Sequence, residues 1–260
     1  MKSWIRKACR NVLAQRGISL VRLPPILSRN PGMRLEVSFE FVLSHYLQCV
    51  QHVPFFLQIG AFNGVDGDPL YAYARRGLLR GCSVEPQADA FEQLCLNYAG
   101  NSNVILKHAA IGAQSGTATL FRIRPGTDGP SWLPQIASFH REVILSHAEQ
   151  VPEIEQAIVT EAVAVVAFND LIDELGVEPD VVVIDTEGHD FEIIKLMNIG
   201  VRKPAILLYE HKHLTPKDHE ESIQLLGNAG YRLAIVKQDT LAYLSDNLQA
   251  SAVVDLPRTE

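Results

Sequence analysis

Residues 53–64 read Val-Pro-Phe-Phe-Leu-Gln-Ile-Gly-Ala-Phe-Asn-Gly, a compact apolar run that ends in a turn containing glycine. The run over residues 53–60 predicts a buried β-strand, because short apolar segments bounded by turn residues are typical of strands covered on both faces. Gly60 and Gly64 allow the backbone to turn tightly and to approach a ligand that a Cβ would block. Such a turn is also found in a plain strand-to-helix connection, so by itself it does not establish a ligand site.

From this stretch onward, apolar strands alternate with helical patterns. This alternation predicts an α/β fold with a mostly parallel sheet covered by helices on both faces. The last two strands predict an antiparallel hairpin at one edge. Strands are predicted at residues 53–60, 81–85, 104–111, 117–122, 163–168, 181–185, 205–210, 231–237 and 241–244. Helices are predicted at residues 2–16, 36–50, 69–76, 88–98, 141–149, 170–175, 191–197 and 216–229.

The chain divides into three predicted parts. Residues 1–50 form a basic N-terminal helical extension with a proline-containing linker, residues 51–250 form the main domain, and residues 251–260 form a tail. Residues 124–160 interrupt the alternation with several prolines and glycines, which is typical of an insertion between strands. We expect this insertion to be a lid over a site, with a surface excursion as the alternative.

Charge is distributed unevenly. The first 35 residues carry eight basic side chains and no acidic one, whereas the remainder carries 15 basic against 30 acidic side chains. An acidic body is a poor partner for nucleic acid, because phosphate neutralisation dominates that affinity. The basic face of residues 2–16 is expected to be solvated, with weak contact to a membrane surface as the alternative.

Targeting and cysteine patterns indicate a cytoplasmic protein, with location at the inner face of the membrane as a further option. The N-terminus lacks the apolar segment of a signal peptide, and no stretch is long enough for a membrane helix. The four cysteines show no metal-binding or disulfide spacing, which fits reduced thiols.

Glu85 ends the second predicted strand and is followed by Pro86. A carboxylate at this point of an α/β sheet can accept both hydroxyls of a ribose. Together with the glycine turn it predicts an adenosyl ligand, although Glu85 could instead cap the next helix. The dinucleotide pattern GxGxxG is broken by Phe62 and Val65, which disfavours a dehydrogenase.

Two polar clusters follow the buried strands at residues 181–185 and 205–210. Three carboxylates and an imidazole within six residues are costly for a structural loop, and their proximity is expected to raise at least one carboxyl pKa. Strands that end side by side should bring both clusters to one crevice. The candidate catalytic residues are Asp185, Glu187, His189, Glu210, His211 and His213, with the three histidines as alternative general bases.

The spacing of these side chains demands no metal. Asp185, Glu187 and Glu210 nevertheless offer the hard oxygen ligands that Mg²⁺ prefers, so magnesium stays an open possibility.

These segments together resemble the FkbM-type methyltransferase family. The resemblance extends from about residue 53 to residue 244 and rests on motifs that occur in order: Gln58-Ile59-Gly60-Ala61-Phe62-Asn63-Gly64 with Asp68-Pro69, Val84-Glu85-Pro86, Asn97, Ala109-Ala110-Ile111-Gly112, Ala137-Ser138-Phe139, Val183-Ile184-Asp185-Thr186-Glu187-Gly188-His189-Asp190, and Glu210-His211-Lys212-His213-Leu214. The chain departs from the family pattern at Gln58, where many members carry an acid, at Phe62 and at His189.

The resemblance implies a class I methyltransferase with a Rossmann-like, seven-stranded sheet, S-adenosylmethionine as methyl donor, and O-methylation of a sugar, glycan or small metabolite. It implies that Glu85 holds the ribose hydroxyls and that Asp185 lies closest to the transferring methyl. The residues expected at the donor are Gln58, Gly60, Ala61, Asn63, Gly64, Glu85, Pro86, His108, Ala109 and Asp185.

In the expected mechanism, Asp185 and Glu187 align the acceptor and one of the histidines removes its proton. Ser138 and Phe139 in the lid would exclude water and shape the acceptor pocket for a small molecule or saccharide. A non-catalytic, partner-binding module that retains the fold is the alternative, and sugar-nucleotide chemistry on the same sheet is an enzymatic rival. The sequence predicts neither the acceptor nor the oligomeric state.

Overall fold

The computed structural model describes residues 38–248. The helix expected at residues 2–16, the linker after it and the tail at residues 251–260 lie outside the described residues. The chain divides into two compact units, Met1–Glu36 and Val37–Glu260, and all of the described residues belong to the second unit.

The described residues contain eleven strands and eight α-helices. The strands are β1 (Phe55–Ile59), β2 (Arg80–Val84), β3 (Val104–Lys107), β4 (Ala110–Gly112), β5 (Gly116–Ile123), β6 (Ala137–Ser138), β7 (Ile158–Ala167), β8 (Val181–Ile184), β9 (Ile206–Glu210), β10 (Arg232–Val236) and β11 (Asp239–Tyr243). The helices are α1 (Phe39–Cys49), α2 (Tyr71–Arg75), α3 (Ala88–Asn97), α4 (Arg141–Leu145), α5 (Ile154–Ala157), α6 (Phe168–Leu175), α7 (Asp190–Leu196) and α8 (Pro216–Asn228).

Seven strands form the main sheet in the order β3-β2-β1-β8-β9-β11-β10. The first five run parallel, and β11 is antiparallel to both of its neighbours. The predicted fold class, a mostly parallel α/β sheet with an antiparallel hairpin edge, is confirmed. Because Ile59 pairs with Val84 on one side and Ile184 on the other, the carboxyl ends of β1, β2 and β8 lie level. The chain order reverses at β1, which is where open α/β sheets bind ligands.

Helices cover both faces of this sheet because its central strands are apolar on both faces. Leu57 and Ile59 pack with α6, α7 and α8, whereas Phe56, between them in sequence, packs with α1, α2 and α3. Helix α1 is therefore part of the main domain, although the predicted boundary at residue 50 assigns it to the extension.

Four further strands form a second sheet in the order β4-β7-β5-β6. The sequence predicts one strand over residues 104–111, and this prediction is wrong because the structure has two strands there. Strand β3 pairs with β2 in the main sheet, and β4 pairs with β7 in the second sheet. The break falls at His108, whose ring stacks on Phe91 and whose Nε2 lies 3.1 Å from the carbonyl oxygen of Pro86. Strand β7 is also longer than the strand predicted at residues 163–168, since it begins at Ile158. It ends at Ala167, and Phe168 is the first residue of α6.

The segment between β5 and β7 has a small apolar core of its own. It contains a 3-10 turn at Leu133–Gln135, β6, α4 and α5. Its buried side chains are Ile123, Leu133, Ile136, Ile144, Ile154 and Ala157. Packing of this kind gives the segment a defined conformation. The helix predicted at residues 141–149 ends early, at Leu145.

Among the helices of the described residues, none is both long and apolar enough to span a lipid bilayer.

Candidate active site

The turn after β1 is held against the ends of its two neighbouring strands. Gly60 and Ala61 both donate backbone hydrogen bonds to the carbonyl of Val84, each at 3.0 Å. Gly60 has a φ of +83°, and a Cβ built there would lie 1.6 Å from the carbonyl oxygen of Asp185. Glycine is required at this position both by the left-handed backbone and by the close approach of β8.

Glu85 lies at the centre of this junction. One of its carboxylate oxygens accepts from the backbone N–H of Phe62 at 2.7 Å, and the other accepts from Gln87 at 2.8 Å. Burial raises the pKa of Glu85 to about 7, against the lowering effect of these hydrogen bonds. Each oxygen keeps a second lone pair, so the carboxylate can still accept hydroxyl groups from a ligand.

A cavity of about 150 Å³ lies at the carboxyl ends of β1, β2 and β8. One wall is the turn after β1, the opposite wall is β4 with the segment between β5 and β7, and the loop after β8 closes a third side. Five acids contribute to its lining: Asp66, Asp68, Glu85, Asp185 and Glu187. The lining contains no lysine or arginine among the described residues, so the cavity is suited to a ligand with positive charge.

Most of the residues expected at the donor line this cavity. They are Gln58, Gly60, Ala61, Glu85, Pro86, Ala109 and Asp185. Phe139, expected in the lid, also lines the cavity, together with Gln135 and Ala137 from the same segment.

Three other predicted donor residues lie outside the cavity lining. Asn63 accepts from the backbone N–H groups of Val65 and Asp66, so its side chain holds the turn together. Gly64 faces α3, because a Cβ there would meet the side chains of Leu94 and Tyr98 at 2.4 and 2.7 Å. His108 is exposed on the far side of Pro86.

Asp68 belongs to the first family motif but is not among the residues predicted to contact the donor, and it lines the cavity. Its carboxylate accepts from Gln58 Nε2 at 3.1 Å and from the backbone N–H groups of Leu70 and Tyr71 at the start of α2. Burial raises its pKa. Asp68 thus places an acid beside Gln58, the position where many family members carry one. An acid just before a helix start, within the first motif, is the signal that points to it.

The loop after β8 brings Asp185 and Glu187 to the cavity. Asp185 is exposed toward the cavity, yet the surrounding protein desolvates its carboxyl and raises the pKa of this group well above the ordinary value, with Glu187 raising it further. Glu187 has a φ of 52°, and the hydroxyl of Ser138 donates to its carbonyl at 2.6 Å. Ser138, expected to shape the acceptor pocket, is fully buried and does not line the cavity. Its contribution is the hydrogen bond that holds the loop after β8.

The same loop ends in His189 and Asp190. His189 lines the cavity edge-on to Phe139, with the ring centroids 5.5 Å apart, and burial lowers its pKa. Asp190 is completely buried, accepts from Thr186 and Gly188, and has its pKa raised to about 7 by burial. The predicted crowding of acids with perturbed pKa values is therefore present in this loop.

The second predicted cluster divides between two locations. Glu210 and His213 lie behind the cavity wall, where His213 Nε2 is 3.0 Å from Glu187 Oε2 and 3.9 Å from Glu210 Oε2. His211 turns away: its Nδ1 is 3.0 Å from the hydroxyl of Thr240, and its ring stacks on His219 at 4.3 Å. Of the three candidate bases, His189 is the one that lines the cavity.

The carboxylates considered for magnesium do not form the expected group. Glu187 and Glu210 converge, but the third member of the cluster is His213, and Asp185 points into the cavity instead.

A seven-stranded sheet in this order, with an acidic cavity where β1, β2 and β8 end, is the Rossmann-like fold of the class I methyltransferases. The model of the methyltransferase FkbM domain matches residues 58–233, about two thirds of the chain. The chain belongs to this family, as the motifs in its sequence imply.

Three solved structures that are similar to this chain have low sequence identity to it. Methyltransferase FkbM from Methylobacillus flagellatus aligns with a TM-score of 0.47 and 14% identity over 73% of this chain and 43% of that protein. This chain therefore spans less than half the length of that relative. The precorrin-6y C5,15-methyltransferase from Geobacter metallireducens gives a TM-score of 0.40 and 13% identity over 79% of this chain and 87% of that one. A methyltransferase from Geobacter sulfurreducens gives 0.39 and 13% over 92% and 87%.

No curated protein matches the sequence at a significant level.

Proposed function

We propose that this methyltransferase uses S-adenosylmethionine to methylate an oxygen of a small molecule or saccharide. The observation that carries the proposal is the acid-lined cavity at the level ends of β1, β2 and β8, with Glu85 at its junction with the glycine turn. Phosphate-containing ligands are electrostatically disfavoured there, whereas a sulfonium cation is attracted. The acidic body also argues against nucleic acid as the acceptor. The cytoplasmic location expected from the reduced cysteines is part of the proposal.

The lining residues fit the donor in three respects. Glu85 supplies acceptor oxygens for the ribose hydroxyls. Ala109, Ile111 and Leu120 supply an apolar wall for the adenine ring. Asp68, held by Gln58, supplies the negative charge for the amino group at the other end of the donor.

S-adenosylmethionine supplies a methyl group that is already strongly electrophilic, which leaves the protein to orient the acceptor and to receive its proton. Asp185 and Glu187 bring carboxylate oxygens to the cavity, where they can hold an acceptor hydroxyl. Correct orientation of the two reactants is worth about 7–11 kcal/mol of the barrier. His189 is assigned the proton of the acceptor hydroxyl, because its ring lines the cavity in which the acceptor would lie.

An open groove next to the cavity is the proposed acceptor subsite. It has a volume of about 410 Å³ and runs along residues 111–118. It shares Ile111, Phe139 and His189 with the main cavity, so an acceptor in the groove can reach the donor past the His189 ring. Phe139 comes from the segment between β5 and β7, which gives this segment its proposed role as the lid.

Methyl transfer can be tested with isotopically labelled donor. Purified protein is incubated with S-adenosylmethionine carrying a labelled methyl group and an extract of small molecules and glycans from the source cells. Mass spectrometry of the products is expected to show label on an oxygen. Asp185→Asn should abolish labelling, whereas Asp173→Asn, an exposed carboxyl on α6, should leave it unchanged. A wild-type protein that labels no product would contradict the proposal.

Replacing His189 tests the assigned proton acceptor. His189→Asn is expected to lower kcat by about 10²–10⁴-fold with little change in donor affinity, because general-base assistance has that size. The measurement is the rate of transfer at saturating donor. His52→Gln serves as the control, since His52 precedes β1 at the opposite edge of the sheet. An unchanged kcat in His189→Asn would remove this residue from the mechanism.

A further inference from the structure

Behind the wall of the cavity, Glu187, Glu210 and His213 bring three potential ligand atoms together. One carboxylate oxygen from each glutamate and one ring nitrogen of the histidine all lie within 4.8 Å of one another. Glu187 comes from the loop after β8, and the other two come from the end of β9 and the loop after it. Since β8 and β9 are neighbours in the sheet, these loops meet at the same edge.

All three side chains are largely withdrawn from solvent. Their exposed fractions are 6% for His213, 9% for Glu210 and 16% for Glu187. Glu187 Oε2, Glu210 Oε2 and His213 Nε2 are buried and make no hydrogen bond within the described part of the chain. The 3.0 Å contact between His213 Nε2 and Glu187 Oε2 is an ion pair when the imidazole is protonated, and it does not meet the geometry of a hydrogen bond. Unpaired buried polar atoms are costly, so three of them aimed at one point indicate a ligand between them.

Charge around this point favours a cation. Asp185 and Asp190 lie close enough to act on Glu210, and Lys212 is the one opposing charge among the main influences on it. A positive ion between the two glutamates would remove much of the cost of keeping both carboxylates ionised.

We propose that Glu187, Glu210 and His213 bind a divalent metal ion of the Mn²⁺ or Zn²⁺ kind. Two carboxylates with one imidazole form a mixed ligand set that suits these ions better than Mg²⁺, which prefers oxygen ligands alone. The separations of 3.0 and 3.9 Å between His213 Nε2 and the glutamate oxygens bracket the value of about 3.3 Å between ligand atoms in a tetrahedral site.

The ion would connect elements that shape the cavity. Glu187 lines the cavity and is also one of the three proposed metal ligands. Its carbonyl accepts a hydrogen bond from Ser138, which lies in the segment between β5 and β7. His147 of the same segment is buried beside the cluster, with its ring centroid 5.4 Å from that of His213. Bound metal therefore fixes the loop that carries Asp185 and Glu187. Metal binding does not depend on the proposed methyl transfer, because it involves neither donor nor acceptor.

The direct test uses the full-length protein, freed of metal with EDTA and dialysed. It is titrated with MnCl₂, ZnCl₂ and MgCl₂ by calorimetry, and bound metal is counted by mass spectrometry after gel filtration. We expect one saturable Mn²⁺ or Zn²⁺ per chain and weaker binding of Mg²⁺. A wild-type protein that binds neither Mn²⁺ nor Zn²⁺ would overturn the proposal and would leave donor binding, measured separately, as an independent result.

Variants locate the site. His213→Gln and Glu210→Gln are each expected to weaken binding by at least about a hundredfold, because loss of an outer partner of a metal ligand alone costs 10–100-fold. The matched controls are His211→Gln, two residues away in the same loop, and Glu192→Gln, an exposed glutamate on α7. Both controls should bind metal like the wild type. Unchanged affinity in a folded His213→Gln protein would refute the ligand assignment.

A spectroscopic measurement on the wild type covers the case in which these variants do not fold. Pulsed electron paramagnetic resonance of bound Mn²⁺ should show coupling to an imidazole nitrogen, which an all-carboxylate surface site does not give. A Mn²⁺ signal without nitrogen coupling would exclude His213 as a ligand and overturn the proposal.

Discussion

At the residue scale, Gly60 and Glu85 have the most constrained environments in the site. Gly60 and Glu85 each directly follow the last residue of a strand. Because the apolar pattern shows where a strand ends, the sequence predicts both residues. Asp68 and His211 show where such prediction fails. Asp68 reaches Gln58 ten residues away around a turn, and His211 lies just past the last strand residue, where alternation no longer tells which way a side chain points.

Replacing Gly60 tests the close approach of the turn to β8. Gly60→Ala is expected to lower the free energy of unfolding by about 3–5 kcal/mol, because the new Cβ would overlap the carbonyl of Asp185 and force the backbone to move. Gly67→Ala is the matched control: its φ is +75°, but nothing lies within 4 Å of a Cβ there. It should lose only the conformational term, about 1–2 kcal/mol. Urea unfolding of both variants makes the comparison, and equal losses would contradict the packing argument.

Glu85 gives a prediction about pH. Its pKa is raised from 4.5 to about 7 in the folded protein by burial, so ionisation favours the unfolded chain. The stability that the neutral carboxyl contributes is present below about pH 4.5 and is lost as pH rises through about 7. Glu85→Gln cannot ionise and should gain stability relative to the wild type across this window, by at most about 3 kcal/mol. Unfolding curves at several pH values test this, and parallel pH profiles for the two proteins would contradict the burial argument.

At the element scale, the strands of the main sheet agree with the sequence except at β3, and the larger differences lie in the second sheet. Only Lys107 and His108 interrupt the apolar pattern over residues 104–111, and two polar residues within a strand are too common to show that the chain leaves one sheet for another there. Strand β6 has two residues and is stabilised by its pairing with β5, a contact that no local pattern contains. The segment around β6 is nevertheless where the sequence predicts an insertion, because its prolines and glycines break both periodicities.

Ser138 tests how this segment supports the site. Ser138→Ala removes the hydroxyl that donates to the Glu187 carbonyl and accepts from the backbone N–H of His140. Leaving both groups unpaired in the interior should cost about 1–3 kcal/mol of stability and slow methyl transfer, because Glu187 loses its support. The control is Ser146→Ala, an exposed serine whose hydroxyl bonds locally to Val143. It should stay within about 0.5 kcal/mol of the wild type. A Ser138→Ala protein that matches this control in melting and rate assays would show that the segment does not support the loop.

At the scale of the whole molecule, the sequence predicts the class of sheet but not the order of its strands. Parallel strands and helices on both faces follow from the alternation of apolar segments. The order β3-β2-β1-β8-β9-β11-β10 depends on pairings between distant residues, such as Ile59 with Ile184, which no local pattern records. The second sheet escapes prediction for the same reason. The family motifs supply what periodicity cannot, because they mark the strand ends that meet at the cavity.

The most direct test of the proposed donor site is a calorimetric titration of the purified protein with S-adenosylmethionine. We expect saturable binding at one site per chain. Glu85→Gln should bind about tenfold more weakly, because a charge-assisted hydrogen bond is lost, and Glu92→Gln, an exposed glutamate on α3, should bind like the wild type. No saturable heat with the wild-type protein, or equal affinity in all three proteins, would contradict the claim that this cavity holds the methyl donor.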